Sequence, residues 1–197
     1  MKHNAHVASF GMIRKSLAAA IFLFFFSASI CAAFEVDTHM VPMRDGVKLA
    51  TDVYLPRKDP GRLPTVLMRT PYGKNMGMIF ATTVLSKRFI WVVQDTRGRH
   101  DSEGVSHSFM DDTQDGYDTV EWIVNQPWSN GRVGTTGISA MGITQYVMTP
   151  NPHPALKSQY VMAAAGSLYH DAAFIGGGFR RSLVLKWVGG NKFPVDF

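Results

Sequence analysis

The chain has 197 residues, 46% of them hydrophobic and 18% charged, with a formal net charge of +5. That length allows one domain with a sizeable core. Three of the 20 basic residues and none of the 15 acidic ones lie in residues 1–33, so the remainder carries only about +2, and nucleic acid is not implied as a partner.

The first segment is a targeting signal by its order of residues. Lys2, Arg14 and Lys15 make a positive region, and Leu17 to Ile30 is an unbroken apolar or small run. Small residues follow at Cys31-Ala32-Ala33, which predicts a secretory signal peptide over residues 1–33. The run is short for spanning a bilayer, so no stable membrane anchor is expected after cleavage. A lipoprotein box is disfavoured because Ile30 stands where a small residue is wanted. Cys31 is the sole cysteine, so no disulfide framework or zinc-finger pattern remains. The expected location is periplasmic or extracellular.

Beyond the signal, residues 36–43 and 47–55 read as two strands joined by the turn Arg44-Asp45-Gly46. Residues 56–64 form a charged, proline-bounded loop. A short strand follows at residues 65–68, then the loop Thr70-Pro71-Tyr72-Gly73 and a helix over residues 79–87. Residues 89–93 are continuously apolar, as a parallel strand buried on both faces should be.

Asp111 and Asp112 suit a helix N-terminus through capping and the helix dipole. In that helix Tyr117, Val120, Ile123 and Val124 share one face, with Asp115 and Asp118 predicted to point away. Pro127 ends it, and Asn130-Gly131 turns into a strand around residues 132–136. Another strand is expected at residues 156–163. Strands alternating with helices predict an α/β fold: a mostly parallel sheet with antiparallel N-terminal strands.

The segment Gly137-Ile138-Ser139-Ala140-Met141-Gly142 joins a strand to a helix-compatible run. A serine among small residues at such a corner is how α/β-hydrolases expose a nucleophile above the sheet. Met141 stands where the general pattern has its second glycine, and Gly142 follows one position later.

Four ordered stretches resemble one family. They are residues 41–49 (VPMRDGVKL), 69–74 (RTPYGK), 94–99 (QDTRGR) with the acidic loop 101–104, and 128–134 (WSNGRVG) running into Ser139. Together they resemble the Xaa-Pro dipeptidyl-peptidase-like hydrolases, which include cocaine-esterase-type enzymes and α-amino-acid ester hydrolases. The resemblance covers nearly all of residues 36–197 and accounts for Gly142, because the family's glycine lies three after the serine. It implies an α/β-hydrolase fold in which Ser139 is the nucleophile. It also implies an oxyanion hole made by the backbone N–H of Ala140 and the hydroxyl of Tyr72. Where members often carry an aromatic residue after the serine this chain has Ala140, which leaves only the backbone role.

A serine needs a histidine to take its proton and an acid to orient that histidine, in the chain order serine, acid, histidine. After Ser139 only His153, His170, Asp171 and Asp196 are available. His153 lies between prolines and reads as a surface loop residue. The segment holding His170 and Asp171 resembles the family's helical cap. Neither histidine resembles the family's base, which the resemblance places beyond the cap, and His39, His100 and His107 come too early. The chain therefore reads as the N-terminal part of a longer hydrolase, inactive as a fragment. Its parts are a signal at residues 1–33, catalytic-domain sequence at 34–166 and the start of a cap at 167–197.

Asp95, Arg97 and Asp101 read as a loop held by ion pairs, and Asp171 as a cap or solvated acid. Gly176-Gly177-Gly178 before Arg180-Arg181 lacks a phosphate-loop context and reads as a flexible cap loop. Trp122, Trp128 and Trp187 read as packing residues. No cofactor and no metal is expected. The reading is an exported serine hydrolase forming an acyl-enzyme on a small ester, amide or short peptide. The other reading is a secreted, non-catalytic binding domain on the same scaffold.

Overall fold

The computed structural model describes residues 34–58 and 61–190. The predicted signal peptide, with Cys31, lies outside the described residues, as does Asp196. Among the described residues no helix is long and apolar enough to cross a membrane.

Strand β1 (Phe34–Pro42) and β2 (Lys48–Pro56) form the expected antiparallel hairpin, with Val41 opposite Leu49 and Phe34 opposite Pro56. Strand β3 (Leu63–Thr70) leads through a short 3-10 turn to helix α1 (Met78–Ser86) and strand β4 (Ile90–Asp95). Helix α2 (Asp112–Val124) precedes β5 (Ser129–Ile138), helix α3 (Ala140–Tyr146) and β6 (Leu156–Met162). The six strands form one sheet in the order β1-β2-β4-β3-β5-β6. The β4, β3, β5 and β6 strands run parallel to one another, and β2 meets β4 antiparallel. This is the mixed sheet expected, and β5 begins earlier than predicted by absorbing Asn130-Gly131.

Every residue of β4 is buried. Alternation along the strands sends side chains to opposite faces, and two cores result. Leu67, Val92 and Val53 join Val120 and Ile123 of α2 on one face. Met68, Val93 and Trp91 join Ala81 of α1 and Met141 of α3 on the other. A parallel sheet covered on both sides requires such continuous apolar strands, and each fully buried Leu or Val contributes about 1.5–3 kcal/mol.

Helix α2 corrects two expectations. Asp111 occupies the N-cap but makes no side-chain capping bond. Its carboxylate instead lies 3.0 Å from His107 Nδ1. Asp115, predicted to face outward, is 1% exposed. It is held there by Arg97 Nη2 at 2.6 Å and Arg69 Nη2 at 3.8 Å. Charge alone argued for solvent, and cations reaching in from two strand ends reverse that.

Past β6, a π-helical turn (Leu168–Ala173) leads to the two-residue strands β7 (Phe174–Ile175) and β8 (Gly178–Phe179) and then helix α4 (Arg181–Gly190). The glycines predicted as a flexible loop make a tight hairpin turn instead. Gly176 and Gly177 have φ 61° and 83°, the backbone that a two-residue hairpin connection demands.

Candidate active site

Strands β3, β4, β5 and β6 end at Thr70, Asp95, Ile138 and Met162. In open α/β sheets the carboxyl ends of the strands are where ligands bind. Tyr72, Asp95, Ser139 and the loop 163–166 all gather at this edge.

Ser139 sits at the turn between β5 and α3 with φ 58° and ψ −124°. That backbone is costly for a residue with a Cβ, and it persists only where the surroundings fix it. Three hydrogen bonds do so. Ser139 N–H donates to Met162 O at 2.9 Å, and its carbonyl accepts from Gly142 at 2.8 Å and Ile143 at 3.0 Å.

The flanking glycines are required by close packing. A Cβ on Gly137 would lie 2.5 Å from Met141 O, and one on Gly142 would lie 2.6 Å from Ala164 Cβ. Helix α3 therefore lies too close to its own strand for a side chain at Gly137, and too close to β6 and the loop after it for one at Gly142. Gln145 ties the two together, accepting from Thr135 Oγ1 at 2.7 Å and donating to Met141 O at 3.1 Å. The outcome is an exposed Ser139 beside a buried Ala140. Ala140 begins α3, so its N–H is among those with no carbonyl one turn earlier.

Ser139 and Ala140 open onto a cleft of about 650 Å³. Its walls are mostly apolar, from Ile143, Ala163 to Ala165, Leu183 and Trp187, with Asp171 and Arg180 the ionisable groups. Asp171 is also the capping acid expected, accepting from Ser167 N–H at 2.9 Å. Tyr72 packs beside the core that contains Met141. Its hydroxyl lies 2.8 Å from the indole nitrogen of Trp187, a residue of the cleft wall. Trp187 is thus more than packing, whereas Trp122 and Trp128 meet each other edge to face and pack against the core.

Among the described residues no histidine lines this cleft. His153 is buried rather than a surface loop residue, with Nε2 2.7 Å from Glu121 and Nδ1 accepting from Ala155 N–H at 3.0 Å. His170 stacks edge-on against Tyr169. The early histidines lie elsewhere too: His39 against Trp122 and His107 against Asp111.

The Asp95 loop is built from ion pairs, as expected. Asp95 accepts from the N–H of Lys74 at 2.6 Å and of Asp101 at 3.3 Å. Lys74 Nζ reaches Asp101 at 2.8 Å, and Arg97 bridges Asp45 and Asp115. Burial pushes the Asp95 carboxyl above the usual carboxylate range, against the pull of its hydrogen bonds. The hydrogen bond from Lys74 holds Asp101 below that range. These groups brace the loop that carries Tyr72. Among the described residues no cluster of three or more His, Cys, Asp or Glu side chains could hold a metal ion.

A mostly parallel sheet, helices on both faces and a strained serine at the strand-to-helix corner define an α/β-hydrolase. Residues 45–193 match the family model for X-Pro dipeptidyl-peptidase (S15 family). The chain belongs to this hydrolase family. It is 39% identical over 157 residues to the cocaine esterase of Rhodococcus sp. (strain MB1 Bresler), covering 75% of this chain and 27% of the esterase. Among solved structures, an aminopeptidase from the marine sediment archaeon Thaumarchaeota archaeon superposes with a TM-score of 0.71 at 34% identity, over 81% of this chain and 30% of that one. An α-amino acid ester hydrolase gives a TM-score of 0.71 at 32% identity, again over 81% and 30%. The chain thus spans between a quarter and a third of these relatives' length.

Proposed function

We propose that the protein is an exported serine hydrolase that cleaves an ester or amide bond through an acyl-enzyme. The observation that carries this reading is Ser139, held at φ 58° and exposed over an apolar cleft. Strain of this kind at a cleft is retained where function needs it.

The proposed chemistry runs as follows. Ser139 Oγ attacks the substrate carbonyl carbon while a base accepts its proton. The negative charge that develops on the carbonyl oxygen is met by the Ala140 N–H and the Tyr72 hydroxyl. Collapse of the tetrahedral intermediate expels the alcohol or amine, which takes the proton from the base. Water then attacks the acyl-serine by the same steps and frees the acid. A single oxyanion donor is worth about 3 kcal/mol in such a site. The base and its orienting acid are supplied from outside the described residues, consistent with a cleft that no described histidine lines.

Residues 34–166 are proposed as catalytic-domain sequence and 167–197 as the start of a cap over it. Small esters, α-amino-acid esters and Xaa-Pro peptides are the candidate substrate classes, named by the relatives' activities. Apolar walls suit an apolar acyl or leaving group. Export rests on the signal-like order of residues 1–33. The test is turnover of a p-nitrophenyl ester by the natural full-length protein. A burst of nitrophenol and its loss in Ser139→Ala support the reading, and unchanged turnover in Ser139→Ala refutes it.

A further inference from the structure

Tyr72 and Trp187 meet across 115 positions of sequence, with the indole nitrogen 2.8 Å from the phenol oxygen. An indole N–H can only donate, so the direction of this bond is unambiguous. The phenol oxygen is the acceptor, and its own proton must point elsewhere. Trp187 is itself fixed, because its ring stacks on Phe109 at 5.6 Å between centroids and 12° between planes. Phe109 and Trp187 both line the cleft onto which Ser139 opens. From the other side, the chain at Tyr72 is anchored by its N–H, which donates to Thr70 Oγ1 at 3.0 Å.

We propose that Trp187 is a positioning residue that orients and polarises the Tyr72 hydroxyl for the oxyanion. This deepens the proposed function and rests on its reading of Tyr72 as an oxyanion donor. Accepting a hydrogen bond makes a hydroxyl a stronger donor, since successive bonds in a chain polarise one another. It also means that the phenol proton is not spent on Trp187. Helix α4 thereby has to be seated before the oxyanion hole is complete.

The experiment is a double-mutant cycle on the full-length protein with a p-nitrophenyl ester. Trp187→Phe keeps a ring to stack on Phe109 and removes the donor. It is expected to lower kcat about fivefold with KM nearly unchanged. Tyr72→Phe is expected to lower kcat about 100-fold. In the Tyr72→Phe background, Trp187→Phe should cost nothing further. A Trp187 that served only as cleft wall would move KM and would act equally in both backgrounds. Fully additive losses, or a wild-type kcat in Trp187→Phe beside a slow Tyr72→Phe, overturn the positioning role and leave the oxyanion reading standing. A wild-type kcat in Tyr72→Phe overturns both.

Discussion

Gly142 faces the methyl group of Ala164 so closely that a Cβ on it would come within 2.6 Å. The obstruction is a short side chain on a turn that follows β6, so it has no flexible end to swing away. Helix α3 or the loop 163–166 would have to move, and Ser139 stands between them. Overpacking of this kind costs about 1–3 kcal/mol. Gly142→Ala is therefore expected to lower the thermal unfolding midpoint and to slow ester turnover together. An unchanged midpoint with full activity would mean that the corner has slack.

Asp115 is 1% exposed and lies between two guanidinium groups. The Arg69 guanidinium pairs with Asp112 at 2.7 Å through Nη1, and its buried Nη2, without a hydrogen-bond partner among the described residues, lies 3.8 Å from Asp115. Asp115→Ala leaves Arg69 paired with Asp112 and Arg97 paired with Asp45, so the loss should fall short of the about 3–5 kcal/mol of a buried ion stripped of its partner. Asp115→Ala should lose about 1–3 kcal/mol in urea unfolding, the cost of the charged hydrogen bonds it removes. A loss below about 1 kcal/mol, the range of surface pairs, would show that the network is solvated.

Asp45 gives a pH dependence with a definite sign. The hydrogen bond from Arg97, at 2.7 Å, holds its carboxyl below the usual range. A carboxyl depressed in the folded state stabilises it above the unfolded value, about 3.9, and loses that contribution as pH falls through the folded value. Wild type should thus exceed Asp45→Asn in unfolding midpoint near neutrality, and the gap should close as pH falls below the usual carboxylate range. Asp95 and Asp112, raised by burial, act in the opposite direction, losing stability as pH rises through their range. Both are present in the two proteins and cancel in the difference. A gap that stays constant with pH contradicts the assignment.

The parts legible in the sequence were those encoded by neighbours. The apolar run of β4, the turn Asp45-Gly46 and the small residues around Ser139 each state their local structure within a few positions. Long-range partners were not legible. Asp115 reads as outward because nothing nearby announces Arg69 or Arg97, which arrive from the end of β3 and the loop after β4. His153 reads as loop because prolines flank it, yet Glu121 of α2 and the Ala155 N–H give its ring a buried seat. The family resemblance points to Tyr72, but its bond to Trp187 spans 115 positions and no spacing rule reaches that far.

The central claim is that Ser139 is an activated nucleophile. The most direct measurement treats the natural full-length protein with a fluorophosphonate probe and locates the adduct by peptide mass spectrometry. The expected result is one adduct on Ser139, absent in Ser139→Ala and made slower to form by Tyr72→Phe. An adduct elsewhere that persists in Ser139→Ala, or an intact protein that takes up no probe, would contradict the account.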